Sequence, residues 1–511
     1  MEMIIVNLLI CIINAGFAFK FLHLFQLKNY SAERYVKYFF SLKGIFVIVN
    51  IIALILQIAI KNLTFLLTSN LIILWYNYFS NFLLIKSKKT PLQFTGRAKR
   101  LIIIMIILVF LPLPFRYGAI MSNLVLVLSP IIANYLNIYD FIRNKQFIQQ
   151  AQHKLLDSNA KVIAITGSNG KTSIKNILFE MLKEKYNVLA TPKSYNTPLG
   201  ISKFINETSL QNCHFILLEY GARKKGDILT LCNTFGADYG IISCVVPQHL
   251  QSFKNVNNIH KTKAELAQFL NGKPCVFNLD NLHTLQMFQT YKNGISASIF
   301  SPANVWVDNI KIENHLSQFT LHLNNSEISC KTKLLGSHNV QNIALAAALA
   351  EELNVPALNI KIAIENLNFI PHRLELIKGK MNILDDSYNC SLASAKESIK
   401  VLNQFSGKKM IVTPGIIEGG KYQHKINKQL GEMCKSNWVV IVGNTNKNAI
   451  IEGLKQQNFE MKNVLFASTL EDAKQYFSLL NFNDTLLLLN DLPDDYTWTN
   501  LNISNASEPS E

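Results

Sequence analysis

Apolar residues crowd the first quarter of the chain, in runs at about 3–25, 44–60, 62–85, 101–115 and 118–139. A membrane-spanning helix needs roughly 20 mainly apolar residues, so the pattern predicts about five spans over 1–142. Lys28, Arg34, Lys37 and Lys43 fall in one connection, and Lys86, Lys88, Lys89, Arg97, Lys99 and Arg100 in another; Lys61 and Arg116 lie in the opposite set. Positive charge marks the inner side of a bilayer. The N-terminus is therefore expected outside, and everything after residue 142 in the cytoplasm. No basic segment precedes the first run, which argues against a cleaved signal peptide. Residues 143–157 read as a linker.

The pattern changes at Lys161. KVIAITGSNGKTSIKNILFEMLKEKYNVLAT reads as a strand, a glycine-bearing turn, an amphipathic helix and a second strand. Further buried-strand patterns at 215–219 and 240–245 alternate with helical ones, which predicts a mostly parallel sheet with helices on both faces over 158–370. From Pro371 to about residue 500 the alternation repeats through MNILDD, KKMIVTP, WVVIVG, NVLFAS and DTLLLLND. The polar tail 501–511 is expected to be disordered.

Composition adds two constraints. The net charge of +16 invites a nucleic-acid reading, but the early basic residues are accounted for by membrane topology, and no basic–aromatic stripe follows them, so no nucleic-acid partner is expected. The eight cysteines are scattered without a CxxC pair, which suits buried reduced thiols rather than a zinc site.

The candidate chemistry centres on TGSNGKT. Gly167 and Gly170 allow backbone amides to turn toward an anion, with Ser168 and Asn169 between them, and the helix that follows adds partial positive charge. Lys171 can reach the terminal phosphates of a nucleotide and Thr172 can hold Mg²⁺. Ile165 stands where a full GxxxxGK[ST] pattern has its first glycine. Glu219 ends an apolar strand, where a carboxylate can meet a metal. His249 and Lys263 lie in PQHLQSFKNVNNIHKTKAEL, Asn339 in GSHNVQN, Arg373 in IPHRLELI and Asp386 in ILDDSYN. Taken singly, each of these has an ordinary structural explanation.

In this order the segments resemble the Mur ligase family, the ATP-dependent amide ligases of peptidoglycan precursor synthesis. Within it they look closest to the type that joins D-alanyl-D-alanine to a UDP-muramoyl-tripeptide. The resemblance covers about 158–500 and rests on TGSNGKT, LEYGA, the QHL…KTKAEL spacing, GSHNVQN, PHRLE, DDSYN and the late NDLPDDY. With the apolar first quarter, the expected fold class is an α-helical membrane domain followed by α/β. The resemblance implies a central P-loop-type ATPase domain and a C-terminal Rossmann-like ligase domain, and the membrane helices stand where the family usually carries a soluble UDP-binding domain. The resemblance also implies that Lys171 grips ATP, and that Thr172, Glu219 and His249 hold Mg²⁺ together with Lys263, carried as a carbamate that supplies an anion to the metal site. Asn339, Arg373 and Asp386 would contact the nucleotide. It implies a UDP-muramoyl-peptide and D-Ala-D-Ala as partners; the apolar first quarter adds the lipid bilayer and, as a further class, other membrane-bound precursor enzymes. The apolar runs and the loop charges place the chain in a bacterial plasma membrane, multi-pass, with the catalytic domains in the cytoplasm. The sequence departs from the family pattern at Cys390-Ser391-Leu392 and at Glu418-Gly419-Gly420. The rival readings are a ligase of the same type acting on a different or lipid-linked carboxylate, an inert membrane scaffold of the same fold, and an ATP-driven transporter. The joint presence of Lys171, Glu219, His249, Lys263 and Arg373 opposes the scaffold, and the missing full Walker pattern the transporter.

Overall fold

A computed structural model describes residues 2–27, 94–115, 129–192, 195–248, 250–313, 315–388, 390–417 and 419–490. The chain divides into two units, Met1–Gln146 and Phe147–Glu511.

In the first unit, the helices Glu2–Leu27 and Gly96–Phe110 pack on each other. Cys11, Ala18 and Leu22 are buried, as are Ala98, Leu101, Met105 and Val109. The Asn7 amide donates to the Phe115 carbonyl at 3.0 Å, and Asp140 receives Arg100 at 2.6 Å and Arg97 at 3.3 Å. Among the described residues, no helix is long and apolar enough to cross a membrane. This contradicts the expected plasma-membrane location, and the multi-span domain and its bilayer partner find no support among the described residues. The physical reason is that an apolar run serves helix-on-helix packing as well as it serves a span. Gly96–Phe110 is 15 residues long and begins with Arg97, Lys99 and Arg100, while Ser129–Leu156 turns polar in its second half. The expected spans at 44–60 and 62–85, and the basic residues of 28–43 and 86–89, lie outside the described residues, as does the tail 501–511.

The expected linker 143–157 is instead helical: the helix Ser129–Leu156 runs through it. Ala151 and Leu155 are buried in the core of the second unit, beside Ile201, Ile205 and Leu231. Its apolar spacing is sparse, which is why the sequence reads as a connection.

The second unit is built on two sheets. Among the described residues the first has nine strands, in the order β2-β3-β1-β4-β5-β6-β7-β8-β9. They are β1 (Lys161–Thr166), β2 (Val188–Ala190), β3 (Phe215–Glu219), β4 (Tyr239–Ile242), β5 (Cys275–Asn278), β6 (Gly294–Ser298), β7 (Val305–Glu313), β8 (Leu316–Leu323) and β9 (Ser326–Thr332). Neighbours from β2 to β7 pair in parallel, whereas β7, β8 and β9 form an antiparallel meander. The two-residue side-chain period splits β1 between two cores. Ile163 and Ile165 face the helices Lys171–Leu182 and Ser337–Glu352, while Val162 and Ala164 face Pro198–Glu207, Asp227–Phe235 and Val256–Leu270. The meander is the part that a mostly parallel expectation missed. Its signal is the buried-and-open alternation of LSQFTLHL, closed by Asn324 and Asn325.

The second sheet orders β10 (Glu375–Lys378), β11 (Asn382–Asp386), β15 (Thr485–Leu489), β12 (Lys409–Thr413), β13 (Trp438–Val442) and β14 (Val464–Ala467). Only the β10–β11 pair is antiparallel among these strands. On one face of this sheet the helices Gln423–Met433 and Lys447–Gln456 touch through Gly431 and Gly453. A Cβ at Gly453 would lie 1.9 Å from the Lys428 carbonyl oxygen, and backbone cannot move aside as a side-chain tip can. Gly453→Ala should therefore destabilise the protein by about 1–3 kcal/mol, the usual cost of overpacking. Chemical unfolding of the two proteins measures it; an unchanged midpoint would contradict the close helix contact.

Candidate functional site

The order β3-β1-β4 brings three strand ends to one edge, the place where open α/β sheets bind ligands. The turn Gly167–Gly170 follows β1, Glu219 closes β3, and Ser243 and Cys244 follow β4. Gly167 and Gly170 have φ of +148° and +82°. A Cβ would strike the Ser243 hydroxyl at Gly167 and come within 2.5 Å of Asn342 Oδ1 at Gly170. Both positions thus need glycine for conformation and for space. Gly170 also opens the helix Lys171–Leu182, whose first amides point into the site.

The charged groups converge there. Lys171 Nζ donates to the carbonyls of Gly167 at 2.8 Å and Ser168 at 3.1 Å. The Thr172 hydroxyl donates to Glu219 Oε2 at 2.8 Å, and Arg373 Nη2 approaches Thr172 Oγ1 at 3.3 Å from the second sheet's side. The guanidinium lies over the Tyr388 ring, 4.5 Å from its centroid. Lys171, Thr172, Glu219, Arg373 and Tyr388 all line a cavity of about 460 Å³.

Two further lysines are buried behind this rim. Lys263 is 3% exposed, and no described residue holds its amine by a hydrogen bond or ion pair. Burial, reinforced by the Lys171 charge, pushes that amine down to about 7. Lys175 was not singled out from the sequence. It is 1% exposed, donates to the Thr191 carbonyl at 2.6 Å and lies 3.8 Å from Glu219 Oε2. Burial pushes it down to about 8, against the pull of Glu219. Its signal was its place four residues after Lys171, on the same helix face. Burial likewise lowers Lys171.

A smaller cavity of about 210 Å³ adjoins the turn and is lined by Asn169, Asn339, Asn342, Arg373 and Asp386, among others. Asn339 sits in the first turn of the helix Ser337–Glu352, with its amide donating to the Leu335 carbonyl at 2.8 Å. Asp386 ends β11 and accepts from the Ser398 hydroxyl at 2.5 Å; burial raises its carboxyl to about 6 despite Arg373. Asn169 reaches Ser391 across the cleft at 2.8 Å. The structure thus brings together the predicted Gly167, Ser168, Asn169, Gly170, Lys171, Thr172, Glu219, Asn339, Arg373 and Asp386. Lys263 is not among the residues that line either cavity, though the Lys171 charge acts on its amine. His249 lies outside the described residues, as does Glu418. Tyr388 and Asn342, contained in the motifs DDSYN and GSHNVQN, are added by the structure to the predicted set.

A hydroxyl beside a carboxylate is a hard-oxygen donor pair, and a divalent ion such as Mg²⁺ takes few protein ligands and completes its shell with water and phosphate. Thr172 and Glu219 fit that demand. Among the described residues, no group of three or more His, Cys, Asp or Glu side chains could hold a metal by itself.

Residues 165–350 match the family described as Mur ligase middle domain. The chain is 30% identical over 312 residues to a UDP-N-acetylmuramoyl-tripeptide–D-alanyl-D-alanine ligase of Buchnera aphidicola subsp. Baizongia pistaciae, covering 59% of this chain and 67% of that one. It is 28% identical over 285 residues to the enzyme of that name from Escherichia coli, covering 54% and 62%. A further Buchnera relative, from Acyrthosiphon pisum, is matched over 63% of its length, so the chain spans about two thirds of these relatives. Among solved structures, MurF of Thermotoga maritima in complex with ADP superposes with a TM-score of 0.61 at 23% identity, over 68% of this chain and 80% of that one. MurF of Acinetobacter baumannii gives 0.62 at 23%, over 70% and 79%. These likenesses establish a shared α/β fold.

The Lys263 amine titrates near 7 in the folded protein and at 10.5 in an ordinary setting. Between those values the unfolded chain binds more protons, so stability rises with pH; below them the cost of the buried cation is full. Lys263→Met should therefore stabilise the protein at about pH 6.5 in CO2-free buffer. That gain should shrink toward about pH 9, by no more than about 1.4 kcal/mol per pH unit. Denaturant titrations at both pH values measure it, and a gain independent of pH would contradict the lowered amine.

Proposed function

The chain belongs to the Mur ligase family, and on that premise we propose that it is an ATP-dependent amide ligase of peptidoglycan precursor synthesis, adding D-Ala-D-Ala to a UDP-muramoyl-tripeptide. The observation that carries this reading is the convergence of Lys171, the Thr172–Glu219 pair and Arg373 on one cavity. Lys171 and Arg373 line that cavity, and Lys175 is buried behind it, 3.8 Å from Glu219 Oε2; a triphosphate is a ligand that balances them.

Each residue then has a task. The backbone amides of 167–171 cradle the phosphates, and Lys171 leaves the loop carbonyls to hold the terminal pair. Thr172 and Glu219 would hold Mg²⁺, with His249 as the family resemblance implies, and an ion bound there would supply charge neutralisation at the phosphates. Arg373 reaches the γ-phosphoryl oxygens from the opposite side. Asn339 and Asp386 line the smaller cavity and hold the nucleoside end.

The terminal carboxylate of the acceptor peptide attacks the γ-phosphorus, the bond to the bridging oxygen breaks, and ADP leaves with that electron pair. The amine of D-Ala-D-Ala then attacks the acyl carbon, phosphate departs, and the nitrogen gives up one proton to form the amide. Positioning and charge neutralisation supply the catalysis. Closure of the second sheet's lobe over the turn keeps water from the acyl phosphate.

Lys263 supports a further detail of the same reading. A neutral amine adds to CO2 and loses one proton to become a carbamate, and an amine lowered to about 7 is largely neutral under cellular conditions. The product is an anion in a place otherwise crowded with cations.

Phosphate release from the purified full chain tests the reading: it should require ATP, UDP-muramoyl-tripeptide and D-Ala-D-Ala together, and release that ignores either of the last two would oppose it. Lys171→Ala should lower that rate by at least about 100-fold, the scale of losing one preorganised charge contact, without changing the unfolding midpoint by more than a few degrees. Lys263→Ala should be comparably slow and partly restored by added formate or acetate. Full activity in that variant would remove the carbamate from the account.

A further inference from the structure

The acid pair Asp385-Asp386 ends β11, and because successive strand residues face opposite sides, the two carboxylates point to different neighbours. Asp386 lines the smaller cavity. Asp385 faces the segment that carries Arg373: its side chain is fully buried, and Oδ2 lies 2.8 Å from His372 Nδ1. Its other oxygen accepts from the Ser387 amide at 3.1 Å.

Arg373 itself stands between two left-handed residues, His372 at φ +61° and Leu374 at φ +54°. Neither is glycine or asparagine, and such a conformation persists only where the surroundings hold it. The surroundings are visible on every side. Leu374 is fully buried in the core of the second sheet, beside Leu335, Leu376 and Leu384. The His372 amide donates to Glu375 Oε2 at 3.2 Å, and its carbonyl accepts from the Tyr388 amide at 3.2 Å. Tyr388 in turn stacks on the guanidinium that meets Thr172.

We infer that Asp385 and His372 form a positioning pair that holds the strained turn 372–374 and so aims the Arg373 guanidinium at the phosphate-binding turn. They touch neither nucleotide nor reacting atoms; they act through Arg373. The inference rests on the proposed role of Arg373, and adds that the two neighbouring acids do different work, Asp386 at the ligand and Asp385 behind the arginine. A long flexible cation would otherwise have to find its place in each catalytic cycle, and misplacement of about 1 Å is enough to cost about 100-fold in rate.

A double-mutant cycle on the full chain tests it. Turnover and KM are measured with ATP, UDP-muramoyl-tripeptide and D-Ala-D-Ala for Asp385→Ala, Arg373→Ala and the double variant. Asp385→Ala should lower kcat by about tenfold or more with KM for the acceptor peptide within about twofold, and should cost less than about twofold further in the Arg373→Ala background. The half-exposed His372 provides the same test without a core change. His372→Ala should behave like Asp385→Ala, whereas His372→Asn, whose amide nitrogen can donate to the carboxylate, should keep most of the lost rate. Equal fold losses with and without Arg373 would overturn the inference, because the pair would then act independently of the arginine. So would full activity of Asp385→Ala and His372→Ala. If Arg373→Ala is as fast as the wild type, the assigned role of the arginine is itself wrong and the inference falls with it. Should Asp385→Ala fail to fold, the two His372 variants decide the matter alone.

Discussion

The constraint on which the rest of the structure turns is an excess of positive charge in a place with little water. Lys175 and Lys263 are almost wholly buried, Lys171 is partly so, and Arg373 faces the same point. Buried cations are costly unless paired, and Glu219 cannot balance all of them. Burial accordingly lowers the amines of all three lysines. Such crowding is unfavourable for the chain on its own and favourable for one carrying a polyanion. It is the electrostatic form of a preorganised site, and the family membership gives the polyanion its identity in the proposed reading.

The fold tolerates this cost because it concentrates the charges at strand ends. β1, β3 and β4 are almost entirely buried along their lengths and carry polar residues only where they emerge. Apolar packing on both faces of the sheet fixes these ends, so the short turn after β1 and the carboxylate after β3 are held without support from the ligand. The second sheet contributes from the opposite side through one segment, Arg373 to Tyr388, whose two left-handed residues are kept in place by buried partners. One half of the site is therefore rigid by packing, and the other is set by a strained turn.

Much of this was legible in the sequence, and the reasons differ by region. β1 and β3 have the residue bounds that their apolar runs predict, because fully buried parallel strands are continuous and hydrophobic. The turn Gly167–Gly170 was legible because its backbone conformation and close contacts admit only glycine at its two ends. Lys175 was not, since a lysine on an amphipathic helix ordinarily points to solvent. The roles of Asp385 and His372 were hidden for a similar reason: a left-handed turn at non-glycine residues has no residue signature. The location expected from the first quarter failed because hydropathy reports how apolar a segment is, not how long its helix runs: Gly96–Phe110 has 15 residues and Ser129–Leu156 turns polar in its second half. The helix through 143–156 was passed over because only a few of its positions, such as Ala151 and Leu155, reach a core.

The central claim is that the acceptor carboxylate is itself phosphorylated at the site between Lys171 and Arg373. The most direct measurement is oxygen tracing: UDP-muramoyl-tripeptide labelled with ¹⁸O in its terminal carboxylate is turned over with ATP and D-Ala-D-Ala, and the released phosphate is analysed by mass. An acyl phosphate requires one labelled oxygen in each phosphate formed. Phosphate that carries no label, or label that stays wholly in the peptide product, would mean that ATP is cleaved by water and would contradict the account.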